Sequence, residues 1–226
     1  MKFIGPIQGI AAYRKPPEEY QPETGMLPQE LVELVRVTYG FQSFPQLQPN
    51  ASMQATQDFQ MGRFSTDRGS CVINRLIMTI DGDIAIATRT EQADLFLDDL
   101  MRLLDENLGY RLRVGAIRKR FVSNIVIEFD RGLENYLVKL SEIIGVINES
   151  RPAERLPFNI KRLSFGEMDI FPAPTDPLVL IERGDFTIER RTGHSFEENR
   201  YFCSAPMTTE AHIGVLERIE AIARGE

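Results

Sequence analysis

The residues with most chemistry to offer lie together near the C-terminus, between Arg183 and Cys203. His194 stands between Gly193 and Ser195, a context that favours an exposed loop. An imidazole can serve as a general base near neutral pH, and carboxylates beside it can orient the ring. Glu197 and Glu198 follow closely enough to do so. Arg190, Arg191 and Arg200 supply forked N–H donors that match a carboxylate or a phosphate, so anion binding is expected of them. Cys203 is the nearby sulfur nucleophile. It ends an apolar run just before a helix start, where the helix dipole can lower a thiol pKa. His194 and Cys203 are therefore the catalytic pair expected if this chain does chemistry, with His212 a second imidazole that could serve Cys203. Two observations weigh against catalysis. Neither the local signatures of cysteine hydrolases nor a G-x-S-x-G motif occurs. His212 also falls in register with Leu216 and Ile219, as a residue packed at the edge of a core would.

A second basic group precedes this one in sequence. Arg111, Arg113, Arg118, Lys119 and Arg120 place five positive charges in ten residues with no acid among them. Such a stripe can contact phosphates. Only Tyr110 and Phe121 flank it, which leaves little aromatic platform for stacking single-stranded bases. The stretch just before it, residues 81–110, holds eight acids and two bases. Pairing of Arg118, Lys119 and Arg120 with that acidic helix, within the fold or across a subunit contact, is the expected use, with anion binding the alternative. Among the acids, Asp94 and Asp98 sit one helical turn apart and could offer hard oxygen ligands to Mg²⁺ or Ca²⁺. The same positions read as a solvated helix face opposite the apolar stripe, with Arg102 four residues after Asp98. No phosphate-binding glycine loop occurs, and two histidines with two cysteines lack zinc-ligand spacing. Neither a metal nor an organic cofactor is expected.

The elements that must position these groups follow from periodicity. Pro28 suits a first helical position, with Leu31, Leu34, Val35 and Thr38 on one face. Cys71–Ile80 and Ile84–Thr88 read as strands joined through Asp81-Gly82-Asp83. Thr88 or Thr90 can cap a helix, with Glu91 completing a capping box from Thr88; Ala93, Phe96, Leu97, Leu100, Leu104 and Leu108 line its buried face, and Gly109 ends it. Phe121–Phe129 alternates as a strand, and Leu133, Leu137, Leu140, Ile144 and Ile147 mark a second amphipathic helix. Apolar runs at 158–170, 178–181, 186–188 and 201–203 follow, with a turn at Gly184-Asp185. Thr208 or Thr209 caps a closing helix with Val215, Leu216, Ile219 and Ile222. Both halves thus deliver a strand meander into a threonine-capped helix. An α+β fold is expected, an antiparallel or mixed sheet with helices mainly on one face.

Three segments are expected: an irregular N-terminal arm with one helix over 1–62, a meander with two helices over 63–150, and a meander with a C-terminal helix over 151–226, the last two packed as a single domain. The arm includes residues 42–60, with six glutamines and two prolines. The formal charge of −7 argues against a generic grip on nucleic acid or anionic lipid, so neither is expected as a partner. No run of apolar residues is long enough to span a bilayer, the start is broken by Pro6 and Gln8 too early for a signal peptide, and two cysteines make no disulfide scaffold. A cytoplasmic location is expected. The function expected is binding, to a protein partner or to further copies of the chain as a dimer, with Phe3, Ile4, Ile7 and Phe44 covered by a neighbour. The alternative is an enzyme for small molecules or phosphoesters that uses the 183–203 loop together with the 111–120 stripe.

Overall fold

Period-two and helix-period patterns resolve into a single antiparallel sheet with helices on one side. The computed structural model describes residues 1–15, 28–46, 56–66, 69–79, 81–110, 117–132, 146, 161–166 and 184–224. The strands are β1 (Lys2–Arg14), β2 (Gln57–Thr66), β3 (Gly69–Met78), β4 (Gly82–Ala87), β5 (Arg118–Glu128), β6 (Arg162–Phe165), β7 (Phe186–Arg190) and β8 (Arg200–Ala205). The helices are α1 (Pro28–Tyr39), α2 (Thr90–Leu108) and α3 (Thr209–Arg224). Their order across the eight-stranded sheet is β2-β3-β4-β1-β5-β8-β7-β6. The sequence patterns implied an α+β chain with an antiparallel or mixed sheet, and every described strand pair is antiparallel. The helix marked by Leu133 to Ile147 and the run at 178–181 lie outside the described residues.

The N-terminal segment corrects the sequence reading. Residues 2–14 are no irregular arm but a central strand, paired with β4 on one side and β5 on the other. Gly5, Pro6 and Gly9 hid it, because proline cannot donate to a ladder and is expected only at edges or bulges. Here the register slips at Phe3/Gly5 and again at Pro6/Gln8, which takes Pro6 out of a regular ladder. Gly9 is required for another reason: a Cβ there would lie 2.1 Å from the backbone of Arg89 and Thr90. That contact lets the start of α2 rest directly on β1. Phe3 packs into the chain's own core, whereas Ile4 and Ile7 at the two slips stay exposed.

Side-chain parity shows that the described helices share one face. Tyr13 reaches Asp94 and Asp98 of α2, and Ser123, the partner of Gly9 across the ladder, meets Thr209 of α3. Tyr39 of α1 packs edge-on to Phe96 of α2 with ring centroids 4.8 Å apart. Phe41, Phe59 and Phe64 complete that aromatic cluster. A second cluster lies under α3, where Leu216 meets Ile125, Ile127, Ile188, Tyr201 and Cys203.

The two helix starts meet at the middle of the sheet and exchange caps. The Thr209 N–H donates to the Thr90 hydroxyl at 2.7 Å, and the Thr90 N–H donates to the Thr209 hydroxyl at 3.2 Å. Orphan N–H groups at each helix start are thus satisfied by the other helix rather than locally. The N-cap position of α2 is Arg89, whose N–H donates to the Gln92 side chain, and Glu91 accepts the Glu210 N–H at 3.0 Å. The capping box expected from Thr88 is therefore not the one formed. Thr208 does act locally, accepting the Ala211 N–H at 3.3 Å. Gly109 ends α2 with φ 67°, a left-handed turn that favours glycine.

Candidate functional site

Arg190 and Tyr201 are direct partners across the β7–β8 ladder, so their side chains stand on the same face. The Arg190 guanidinium carbon lies 5.1 Å from the Tyr201 ring centroid, within reach of a cation–π contact. Tyr201 packs in turn on Phe129 at 5.3 Å between centroids. A charged side chain only 8% exposed is thus carried on an aromatic shelf. The hairpin loop beyond it is closed by the Arg191 N–H donating to the Arg200 carbonyl at 3.0 Å, with Gly193 at φ 82° and Asn199 at φ 48°. Both are residue types that tolerate the left-handed region.

This loop and the start of β6 enclose a cleft of about 240 Å³. Lys161, Arg190, Arg191 and Arg200 line it with His194, Ser195 and Thr192. The structure therefore gathers the three arginines and the histidine that the sequence singled out. Lys161 was missed. It lies some thirty residues away in sequence and enters because the Arg190 N–H donates to its carbonyl at 2.8 Å, where the β6–β7 ladder begins. The signal available was the pairing of two apolar runs, which carries the preceding lysine with it.

An acid bonded to residues of the cleft lining is Glu198. It lies 2.9 Å from His194 Nδ1, accepts the Ser195 N–H at 3.2 Å and sits 3.5 Å from Arg200. Arg200 also reaches Glu128 of β5 at 3.3 Å. The His194 hydrogen bond first, then the Ser195 N–H and the charges of His194 and Arg200, hold the Glu198 carboxyl below the usual carboxylate range. Glu197 is exposed and takes no part in these contacts.

Cys203 lies elsewhere. Its side chain is fully buried beneath α3, and burial pushes its thiol well up, away from the thiolate that a nucleophile needs. His212 is fully buried too, edge-on to Phe186 at 5.4 Å and beside the Ser123 backbone, and burial pulls its pKa down to about 4. His212 is thus the core residue its register implied. The imidazole near the cleft and the buried thiol are not brought together, and Cys203 contributes nothing to the cleft.

Strand alternation divides the basic stripe. Lys119 points to the helix side, with its ammonium 3.1 Å from Asp94, 2.9 Å from Asp98 and 4.6 Å from the Tyr13 ring centroid. Burial alone would lower the Lys119 pKa, but hydrogen bonds to Asp98 and Asp94 outweigh it and hold the ammonium above the ordinary value. The buried Tyr13 hydroxyl lies 2.6 Å from each of the same carboxylates; burial first, then those two acids, raise its pKa. Asp94 and Asp98 therefore form a charge cluster joining α2 to β1 and β5, half-buried at Asp94 and open to solvent at Asp98, as a solvated face would be. Arg102 pairs with Asp99 and Glu106 rather than with Asp98. Arg118 and Arg120 project to the opposite face of the sheet and are exposed. Arg120 stands eight residues along β5 from Glu128, the partner of Arg200, which is roughly 26 Å in an extended strand. Among the described residues of the stripe, Arg118, Lys119 and Arg120 do not line the cleft with His194. Arg111 and Arg113 lie outside the described residues.

Among the described residues, no three or more His, Cys, Asp or Glu side chains are grouped to hold a metal ion. No helix among them is long and apolar enough to cross a membrane. No family model matches the chain, and no curated protein is similar to it.

Proposed function

We propose that this is a cytoplasmic binding protein that recognises an anionic group on a partner through the cleft at the β7–β8 hairpin. One observation carries the reading: Lys161 and Arg191, neither paired with a described carboxylate, line one cleft with His194, Arg190 and Arg200 in a chain of net charge −7. Gathering like charges costs energy, which an anion held between them recovers. Binding is favoured over turnover because Cys203, the nucleophile that the sequence offered to go with His194, is sealed in the core. The alternative, an enzyme that joins this loop to the 111–120 stripe, is favoured less, because Arg118, Lys119 and Arg120 are not among the residues that line the cleft.

The test is calorimetric titration of the full chain with phosphate, sulfate and citrate. Saturable binding that falls about tenfold or more in Lys161→Gln/Arg191→Gln is expected, as for loss of charge-assisted donors. Indifference to that double substitution would refute the cleft. Self-association is a second reading, favoured by Ile4 and Ile7, exposed at 37% and 49% on a central strand. Light scattering checks it, a dimer having twice the 25.8 kDa chain mass.

A further inference from the structure

We infer that the anion taken by this cleft is a phosphate monoester, with Glu198 the internal carboxylate it must displace from Arg200; this rests on the anion-recognition reading above. Size argues for a single group. A cleft of about 240 Å³ is smaller than the roughly 300–1,000 Å³ of pockets that enclose whole small molecules. It admits one anionic head and leaves the remainder of its carrier outside.

Charge argues for a dianion. Arg200 is shared between Glu128 at 3.3 Å and Glu198 at 3.5 Å, so its charge is largely answered within the protein. Lys161 and Arg191 are exposed at the cleft and make no ion pair with a described carboxylate. Two such cations match a phosphate monoester, which carries about −1.5 to −2 near neutral pH, better than a carboxylate of −1. Donor count points the same way. The Lys161 ammonium and the Arg191 fork, on residues that line the cleft beside Thr192 and Ser195, carry more donors than two carboxylate oxygens use and suit three phosphate oxygens.

Glu198 shows how an acid sits among these donors. Its carboxylate is already held by His194, by the Ser195 N–H and by Arg200. An entering phosphate competes with it for Arg200, and like-charge repulsion works against both remaining in place. Removing the Glu198 charge therefore strengthens binding, while removing that of Glu197, its neighbour outside the contacts, changes little.

The experiment is fluorescence anisotropy on the full chain with a labelled degenerate peptide carrying one fixed phosphoserine. The same peptide with serine or glutamate at that position is compared, and phenyl phosphate serves as competitor. The phosphopeptide should bind about tenfold or more tighter than either counterpart, and Arg191→Gln should remove most of that preference. Glu198→Gln should tighten phosphopeptide binding about threefold or more, against less than about twofold for Glu197→Gln. Urea midpoints close to that of the parent chain would show that the variants fold. Competition by phenyl phosphate at matching concentration assigns the affinity to the monoester itself; weak competition assigns part of it to the peptide, and both support the phosphate class. Equal binding of the glutamate and phosphoserine peptides overturns that class but leaves anion recognition standing. Weaker binding by Glu198→Gln makes Glu198 a support of the loop and overturns the displacement. If no peptide binds and simple anions do not bind either, the functional reading falls with it.

Discussion

Two cationic regions of similar composition end in opposite circumstances. On β5, the half-buried Lys119 is paired with Asp94 and Asp98 over the Tyr13 ring, and its charge is spent joining strand to helix. At the β7–β8 hairpin, Lys161 and Arg191 stand at a cleft beside which Glu198 is engaged with His194 and Arg200. The difference lies in what faces each group. A strand residue on the helix side of the sheet meets α2, which is rich in aspartate; a residue at the hairpin end meets its own loop. Composition alone therefore does not assign a role to a basic run. Parity along the strand and the neighbouring element do.

The two histidines make the same contrast and give the largest expected effect on stability. His194 sits at the cleft, whereas His212 is sealed against Phe186 with its pKa drawn down by burial to about 4. Between the ordinary histidine value near 6.5 and about 4, the unfolded chain takes up a proton at this position and the folded chain does not. The contribution is thus intact above about pH 6.5 and is lost as pH falls towards 4, by up to roughly 3 kcal/mol. Urea unfolding from pH 7 to 4 should show a shallower decline for His212→Phe than for the parent chain. An unchanged slope in that window would mean that His212 is not the group responsible.

Lys119→Met tests the paired cation directly. It leaves Asp94, Asp98 and the Tyr13 hydroxyl in contact without the positive charge that lies between them. A loss of about 1–3 kcal/mol is expected, the range for stripping a partner from buried or half-buried polar groups. Arg118→Met is the control, one residue away on the opposite face and exposed, and should stay within about 0.5 kcal/mol. Equal effects from the two would mean that parity does not decide the role of the stripe.

Much of this organisation was legible in the residues, and the exceptions have physical causes. Strands β3, β4, β5, β7 and β8, the course of α2 to Gly109 and a closing helix with threonines at its start follow from periodicity and capping chemistry, whereas most of β2 falls in the segment read as an arm. The exchange of caps between Thr90 and Thr209 does not, because it depends on two helix starts 119 residues apart meeting over Gly9. Strand β1 was hidden by the same glycine and by Pro6, which serve close approach and a register slip rather than a break in structure. The arginines of the cleft were readable because three fall within eleven residues of one hairpin. Lys161 was not, since a ladder between distant segments brings it there. Cys203 misled because its position before a helix suggested a dipole-lowered thiol, whereas alternation along β8 turns it into the core.

The smallest expected change in stability carries the contrast furthest. Lys161 and Arg191 are exposed at the cleft, so neither fills a core space nor compensates a buried acid among the described residues. Each replaced by glutamine should therefore move the urea midpoint by no more than about 0.5 kcal/mol in free energy. The sign is informative. Like charges gathered at one cleft repel, so removing one should leave the fold unchanged or slightly more stable at low salt, and the gain should shrink as salt screens the repulsion. A protein that keeps such a cluster for architecture would lose stability instead, as Lys119→Met is expected to do. Measuring Lys161→Gln, Arg191→Gln and Lys119→Met at about 20 and 500 mM salt separates the cases, because screening across that range shortens the reach of exposed charges several-fold. Destabilisation by the cleft variants comparable to that of Lys119→Met would make the hairpin cations structural and erase the distinction between the two regions.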